Sequence, residues 1–304
     1  MNTPTTAPSP ERVLLRLEWH VLRRLDGVLQ GNYRTLFRGF GLDLADVREY
    51  QPTDDVRRID WNVTARLNAP FVRDYLEDRD VTAWFLVDLS PSLGFGPPQR
   101  QKRAVIVDFV AALARLLTRQ GNRVGAMLFT DRLVRVIPPG VNRTHVLRLI
   151  GDLLRTPVPK HAALTDLAPL LRIALNSIRR RSLIFIVSDF ILAPGWEMPL
   201  LSLAQRHDVL PVRVYDPREH ELPDLGPIWL QDAETGAQLL VDTSDPRFRQ
   251  RFTQHLQQRE AALERAFLQA GVMPLHLSTE DDLVRSLVNF AARRKHQRRL
   301  RLSA

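Results

Sequence analysis

Ala83-Trp84-Phe85-Leu86-Val87-Asp88-Leu89-Ser90-Pro91-Ser92 is the stretch on which the reading of this chain turns. Five apolar residues in a row, with no polar alternation, describe a strand covered on both faces, as in a parallel sheet. The run stops at an acid and passes into a D-x-S-x-S turn. A second stretch, Leu183-Ile184-Phe185-Ile186-Val187-Ser188-Asp189, repeats the plan: an all-apolar strand with a hydroxyl and a carboxylate at its carboxyl end.

Outward from these two strands the texture is regular. Arg103–Thr118 carries Val105, Ile106, Phe109, Val110, Leu113, Leu116 and Leu117 as one apolar stripe, the mark of an amphipathic helix. Arg123–Phe129 and Leu133–Ile137 read as a hairpin around Thr130-Asp131, with Asp131 as a turn former. Helices are expected at 143–155 and 166–180, a strand at Val209–Tyr215, and a second hairpin from Ile228–Leu230 and Gln238–Val241 across Glu234-Thr235-Gly236. A long helix at 246–270, a strand at 272–277 and a helix at 281–292 follow. In that last strand His276 reads as a satisfied core residue. The acids Glu280-Asp281-Asp282 are placed to start the final helix, where negative charge suits the dipole. Strands alternating with helices predict an α/β fold, a doubly wound and mostly parallel sheet flanked by helices. We divide the chain into a disordered N-terminus (1–10), an N-terminal segment (11–80) packed on the α/β body, the α/β domain (81–292) and a basic tail (293–304). In the segment, Leu14, Leu17, Val21, Leu25 and Val28 predict a helix from Val13 to Leu29, and Phe71 to Leu76 reads as a short strand.

Composition narrows the function. Of the 304 residues 44% are hydrophobic and 25% charged, which excludes wholesale disorder. The absence of cysteine excludes disulfides, thiolate metal sites and a cysteine nucleophile. With no apolar run near the ~20 residues of a membrane span and no secretory signal, a soluble cytoplasmic protein is expected. The net charge is +9, but Arg293, Arg294, Lys295, Arg298, Arg299 and Arg301 account for most of the excess. A specific nucleic-acid binder carries its basic face on the folded body, so no such partner is expected; attachment to nucleic acid or a membrane surface through the tail would be salt-sensitive. No G-x-x-x-x-G-K-[ST] phosphate loop and no G-x-S-x-G elbow is present. Gly39-Phe40-Gly41 lacks the third glycine and preceding strand of a dinucleotide site.

The chemistry gathers at the strand ends. In a doubly wound sheet the carboxyl ends open into a crevice where the strand order reverses. Asp88, Ser90, Ser92 and Asp189 leave that edge, and Thr165 in Leu164-Thr165-Asp166-Leu167 is placed to cap a helix beside the same rim. Carboxylates and hydroxyls without Cys or spaced His are hard ligands suited to Mg²⁺ or Mn²⁺. Such a cation keeps an open position that an acidic group of a partner can take. The alternative is purely structural: Asp88 and Asp189 as polar strand terminators, Ser90-Pro91-Ser92 as a turn.

This set resembles the metal-ion-dependent adhesion site of von Willebrand factor type A domains. The resemblance implies that Ser90 and Ser92 bind the metal directly, while Thr165, Asp88 and Asp189 complete the shell, partly through water. Leu93 stands where that family often has Met, outside the shell. A second resemblance comes from Arg38-Gly39-Phe40-Gly41, from Arg48-Glu49-Tyr50-Gln51-Pro52-Thr53-Asp54-Asp55-Val56-Arg57-Arg58-Ile59-Asp60-Trp61 and from Ala65-Arg66. These look like the signature of the bacterial family called domain of unknown function 58, which precedes a von Willebrand A domain; Thr53 replaces the expected Gly. The resemblance spans residues 31–190 and implies a MoxR-type AAA+ ATPase as partner, in chaperone-like assembly or maturation of other proteins.

Physically, Arg48, Tyr50, Asp54, Asp55, Arg57, Asp60, Trp61 and Arg66 read as a structural network in which guanidiniums and carboxylates balance while Trp61 and Ile59 bury. Asp54, Asp55 and Asp60 as a second metal site is the sharper alternative. The expected function is a non-enzymatic, metal-dependent protein-binding module. An enzyme, a Mg²⁺-dependent hydrolase or nuclease using Asp88, Asp189 and Asp54 or Asp55, is the runner-up; a two-metal reaction needs several carboxylates, and among the residues read at the crevice the serines and threonine outnumber the acids.

Overall fold

The computed structural model describes residues 9–24, 47–51, 56, 59, 61, 64, 69–73, 81–97, 100–159 and 164–302. Strand β3 (Thr82–Asp88) lies at the centre of a six-stranded sheet; two further strands, β1 (Val47–Glu49) and β2 (Phe71–Arg73), pair antiparallel with each other. After β3 come helix α2 (Lys102–Arg119), β4 (Arg123–Phe129), β5 (Leu133–Gly140), α3 (Arg143–Arg155), α4 (Ala168–Ser177), β6 (Leu183–Ser188), α5 (Glu197–Arg206) and β7 (Asp208–Tyr215). A hairpin of β8 (Pro227–Gln231) and β9 (Gln238–Asp242) interrupts the alternation before α6 (Pro246–Gln269), β10 (Leu275–Ser278) and α7 (Leu283–Leu302).

The sheet runs β10-β7-β6-β3-β4-β5, parallel throughout except for the β4–β5 edge pair. Numbered within the sheet alone this is 3-2-1-4-5-6, the common doubly wound order, and it reverses between β3 and β6. Both strands are buried on both faces, which explains their unbroken apolar runs. Phe85 and Val87 point with Phe185 and Val187 toward α1 (Pro10–Leu17), α2, α3 and α7; Leu86, Ile184 and Ile186 point the other way, toward α4, α5 and α6. Phe85 and Phe185 stack at 4.7 Å between ring centroids, and Phe109 meets both edge-on. Phe185→Ala removes the middle of this trio and is expected to destabilise the fold by about 3–5 kcal/mol. Equilibrium urea unfolding would check it.

The first helix begins at Pro10, with Ser9 Oγ accepting from the Arg12 amide, so these two residues of the segment expected to be disordered are ordered, and the rest of that segment lies outside the described residues. Proline at the first helical position is favourable because its missing N–H would have no partner there. Its continuation, Glu18–Leu22, widens into a turn of π-helix. Val13, Leu14, Leu17, Val21 and Leu22 join the same core as α2 and α3. Ion pairs Arg16–Asp108, Arg115–Glu18 (2.8 Å) and Arg24–Asp282 (2.7 Å) line the seam.

Three other expectations are corrected. Strand β5 extends through Pro138 and Pro139 to Gly140, because an edge strand does not need the amide protons that proline lacks. His276 is exposed on β10, the outer strand of the sheet, and is no core residue. The final helix starts at Leu283, with Asp282 Oδ1 accepting from the Arg285 amide, and runs to Leu302, so most of the basic tail is helical backbone. Among the described residues, no helix is long and apolar enough to cross a membrane.

Candidate functional site

The reversal between β3 and β6 leaves a crevice at the carboxyl end of the sheet, and the loops after both strands turn into it. Asp88 is the last residue of β3 and is fully buried. One of its oxygens accepts from the Ser90 amide at 2.9 Å, and the other from the Ser188 hydroxyl at 2.7 Å. The tight turn that follows brings the Ser90 and Ser92 hydroxyls within 3.1 Å of each other, both buried. From β6, Asp189 is 2% exposed, and its Oδ1 accepts from the Ile191 amide at 3.0 Å. Phe190, the next residue, has φ +57°, a left-handed backbone uncommon outside glycine. Its ring is held by Trp196 and Phe267, so packing sustains the conformation that turns the Asp189 loop back.

Thr165 reaches the site by a route the sequence does not announce. It was expected to cap the following helix, but that helix begins at Ala168, whose amide donates to Asp166 Oδ1 instead. The Thr165 hydroxyl is thereby free to donate to Glu234 Oε2 at 2.9 Å, and its carbonyl accepts from the Ala193 amide, tying it to the Asp189 loop. Glu234 Oε1 accepts from the Ser92 amide at 3.0 Å. Glu234 therefore bridges Ser92 and Thr165 from the tip of the β8–β9 hairpin, itself only 4% exposed.

Lys102, the first residue of α2, completes the cluster. Its ammonium lies 2.7 Å from Asp189 Oδ2 and 2.6 Å from Glu219 Oε1, with no exposed side-chain surface. Burial works against its charge, but the two carboxylates outweigh this and hold its pKa above the usual lysine value. Asp88 has no such partner. Burial first, and then the neighbouring Asp189 charge, raise its pKa from 3.8 to about 7, against the opposing hydrogen bonds from Ser188 and Ser90. Of the four carboxylates Asp88, Asp189, Glu219 and Glu234, the ammonium pairs with Asp189 and Glu219, while Asp88 and Glu234 are held by amide and hydroxyl donors. Such a cluster lacks positive charge, and a dication beside Asp88 would supply it. Among the described residues no group of three or more His, Asp and Glu is placed to hold a metal by itself, so any ion here would draw on the hydroxyls.

All five residues singled out for the metal therefore lie around one crevice. Glu234, Glu219 and Lys102 were missed. Lysine occurs only three times in an arginine-rich chain, and a compact ammonium at position 102 was the available clue. Of the signature network, Asp54, Asp55, Arg57, Asp60 and Arg66 lie outside the described residues, and for Arg48 only the backbone, in β1, is described. The Tyr50 amide donates to the Pro70 carbonyl at 2.8 Å. Trp61, expected to bury, is 70% exposed.

Residues 46–262 match the family described as Protein of unknown function DUF58. Uncharacterized protein Rv1480 of Mycobacterium tuberculosis is 36% identical over 288 residues, covering 95% of this chain and 90% of that protein. Among solved structures, conserved hypothetical protein BatB from Bacteroides thetaiotaomicron aligns with a TM-score of 0.43 at 10% identity, over 70% of this chain and 98% of that one. The SpRpn10 VWA domain aligns with a TM-score of 0.41 at 14% identity, over 69% and 94% of the two chains. At those scores the fold assignment rests on the strand order and not on the alignments. On the sequence match across most of its length, this chain belongs to the DUF58 family.

Proposed function

We propose that the protein is a divalent-cation-dependent binding module that captures an acidic side chain of a partner protein and makes or breaks no bond. The single observation that carries this reading is the convergence of buried Asp88, Ser90, Ser92, Thr165 and Asp189 on the crevice where the strand order reverses. Two carboxylates with three hydroxyls are the donor set of Mg²⁺ or Mn²⁺, and the Asp88 carboxylate, raised toward neutrality, is the group that lacks a counter-charge. Bound there, the cation would act as a Lewis acid that accepts a carboxylate oxygen from outside. Ser188 and the Ser90 amide orient Asp88, the Ile191 amide orients Asp189, and the Ser188 hydroxyl joins the end of β6 to that of β3. The partner we infer is a MoxR-type AAA+ ATPase, in chaperone-like assembly or maturation of other proteins.

Pull-down of such an ATPase on the immobilised chain, with Mg²⁺ and with EDTA, tests the reading. EDTA and Asp88→Ala are each expected to weaken capture by about tenfold or more, with circular dichroism showing the fold retained. A complex indifferent to both treatments would overturn it, as would phosphatase or nuclease turnover that depends on Asp88.

A further inference from the structure

The hairpin β8–β9 stands outside the alternation of strands and helices, and nearly all of it faces solvent. Trp229 and Leu240, directly opposite each other, are 67% and 54% exposed. Within 231–240 a single residue is buried, and it is the glutamate at the tip. Asp232 shapes that tip: its Oδ1 accepts from the Glu234 and Thr235 amides at 2.9 and 2.7 Å, and Gly236, at φ +73°, closes the turn onto the Asp232 carbonyl. The Glu234 carboxylate then crosses 142 residues of sequence to the Ser92 amide and 69 to the Thr165 hydroxyl. Burying a carboxylate at the end of an exposed hairpin is unfavourable unless the site receiving it offers specific partners. Here those partners belong to two of the five residues assigned to the cation.

We propose that Glu234 is the site's built-in acidic ligand, taking the position toward the cation that a partner's carboxylate would otherwise fill, so that the 227–242 hairpin and the partner compete for one place. The inference rests on the proposed cation site. It converts that site from an open receptor into one closed from within, and capture of a partner then requires the hairpin tip to leave. The same contacts explain why a glutamate and not a glutamine stands at the tip: an amide would keep one acceptor for the Ser92 amide but would bring no charge toward a dication.

Mn²⁺ binding to the full chain, followed by isothermal titration calorimetry and by the electron paramagnetic resonance of the free ion, separates the possibilities. Wild type, Glu234→Ala, Glu234→Gln and Asp88→Ala are compared with and without acetate as a free carboxylate. In the absence of acetate, Glu234→Ala and Glu234→Gln are expected to bind Mn²⁺ about tenfold more weakly than wild type or worse. Acetate should restore affinity in Glu234→Ala, where the carboxylate's volume is vacated, and leave wild type unchanged. Glu234→Gln, nearly isosteric, guards against a loss that merely reflects a disturbed hairpin. If both Glu234 variants bind as wild type does, or if wild type itself responds to acetate, Glu234 is not the ligand and the proposal falls while the cation site stands. If wild type binds no Mn²⁺, or binds it equally after Asp88→Ala, the cation site falls and the proposal with it.

Discussion

Asp88→Asn is expected to melt at a higher temperature than wild type at pH 8 in EDTA, and to lose all further stabilisation by Mg²⁺. The carboxylate of Asp88 sits fully buried beside Asp189, with a folded-state pKa of about 7 against 3.8 for the free side chain. A pKa raised on folding means the unfolded chain releases this proton more readily, so the stability tied to it is fully present below pH 4 and is lost as pH rises through 7. Above that the penalty is constant, at about 4 kcal/mol at most. Asparagine keeps the shape and the acceptor for the Ser90 amide, and the Ser188 hydroxyl can rotate to accept from its amide. The variant should therefore gain on the order of 10 °C in midpoint at pH 8, with the difference shrinking to nothing near pH 4. Thermal melts across pH 4–9, each with EDTA and with Mg²⁺, check it. A variant that melts lower than wild type at pH 8, with an unchanged pH profile, would show that Asp88 is held for packing and not for a cation. Higher melting without the carboxylate, together with loss of the Mg²⁺ response, would mark Asp88 as a residue kept for what it binds.

Legibility from sequence follows from what kind of force places each residue. Ala83–Val87 and Leu183–Val187 announce themselves because a strand buried on both faces has no polar position to spend, and the acids that end them are conspicuous for that reason. Asp88, Ser90, Ser92 and Asp189 are readable because each is within a few residues of such a strand end. Thr165 was legible as a hydroxyl near the rim but not in its role; the local signal for a helix cap is real, and Asp166 rather than Thr165 answers it. Glu234 was hidden for a different reason. Glu-Thr-Gly between two short strands is ordinary turn composition, and nothing local distinguishes a glutamate that faces solvent from one drawn into a site 142 residues away in sequence. Trp61 shows the reverse error, since an aromatic residue beside Ile59 invites burial that the described structure does not give it.

Lys102→Met is expected to destabilise the cation-free protein by about 3–5 kcal/mol, and to recover more on adding Mg²⁺ than wild type gains. Methionine reproduces the aliphatic stem in its buried channel, so the loss reads the charge and not the volume. The ammonium touches Asp189 and Glu219, whose side chains are 1% and 19% exposed, and it joins the start of α2 to the ends of β6 and β7. Removing it leaves the two carboxylates without their shared counter-ion, and Asp189 is then an uncompensated buried charge beside Asp88. A dication bound at the proposed site would restore part of what the ammonium supplied, because both would act on Asp189 with the same sign. Urea unfolding in EDTA and in Mg²⁺, for wild type and variant, gives four free energies whose double difference isolates that coupling. A variant as stable as wild type in EDTA would mean that the two ion pairs of Lys102 add nothing net to the stability of the fold. Equal gains from Mg²⁺ in the two proteins would mean that lysine and cation do not share Asp189, and that the ammonium belongs to the scaffold alone.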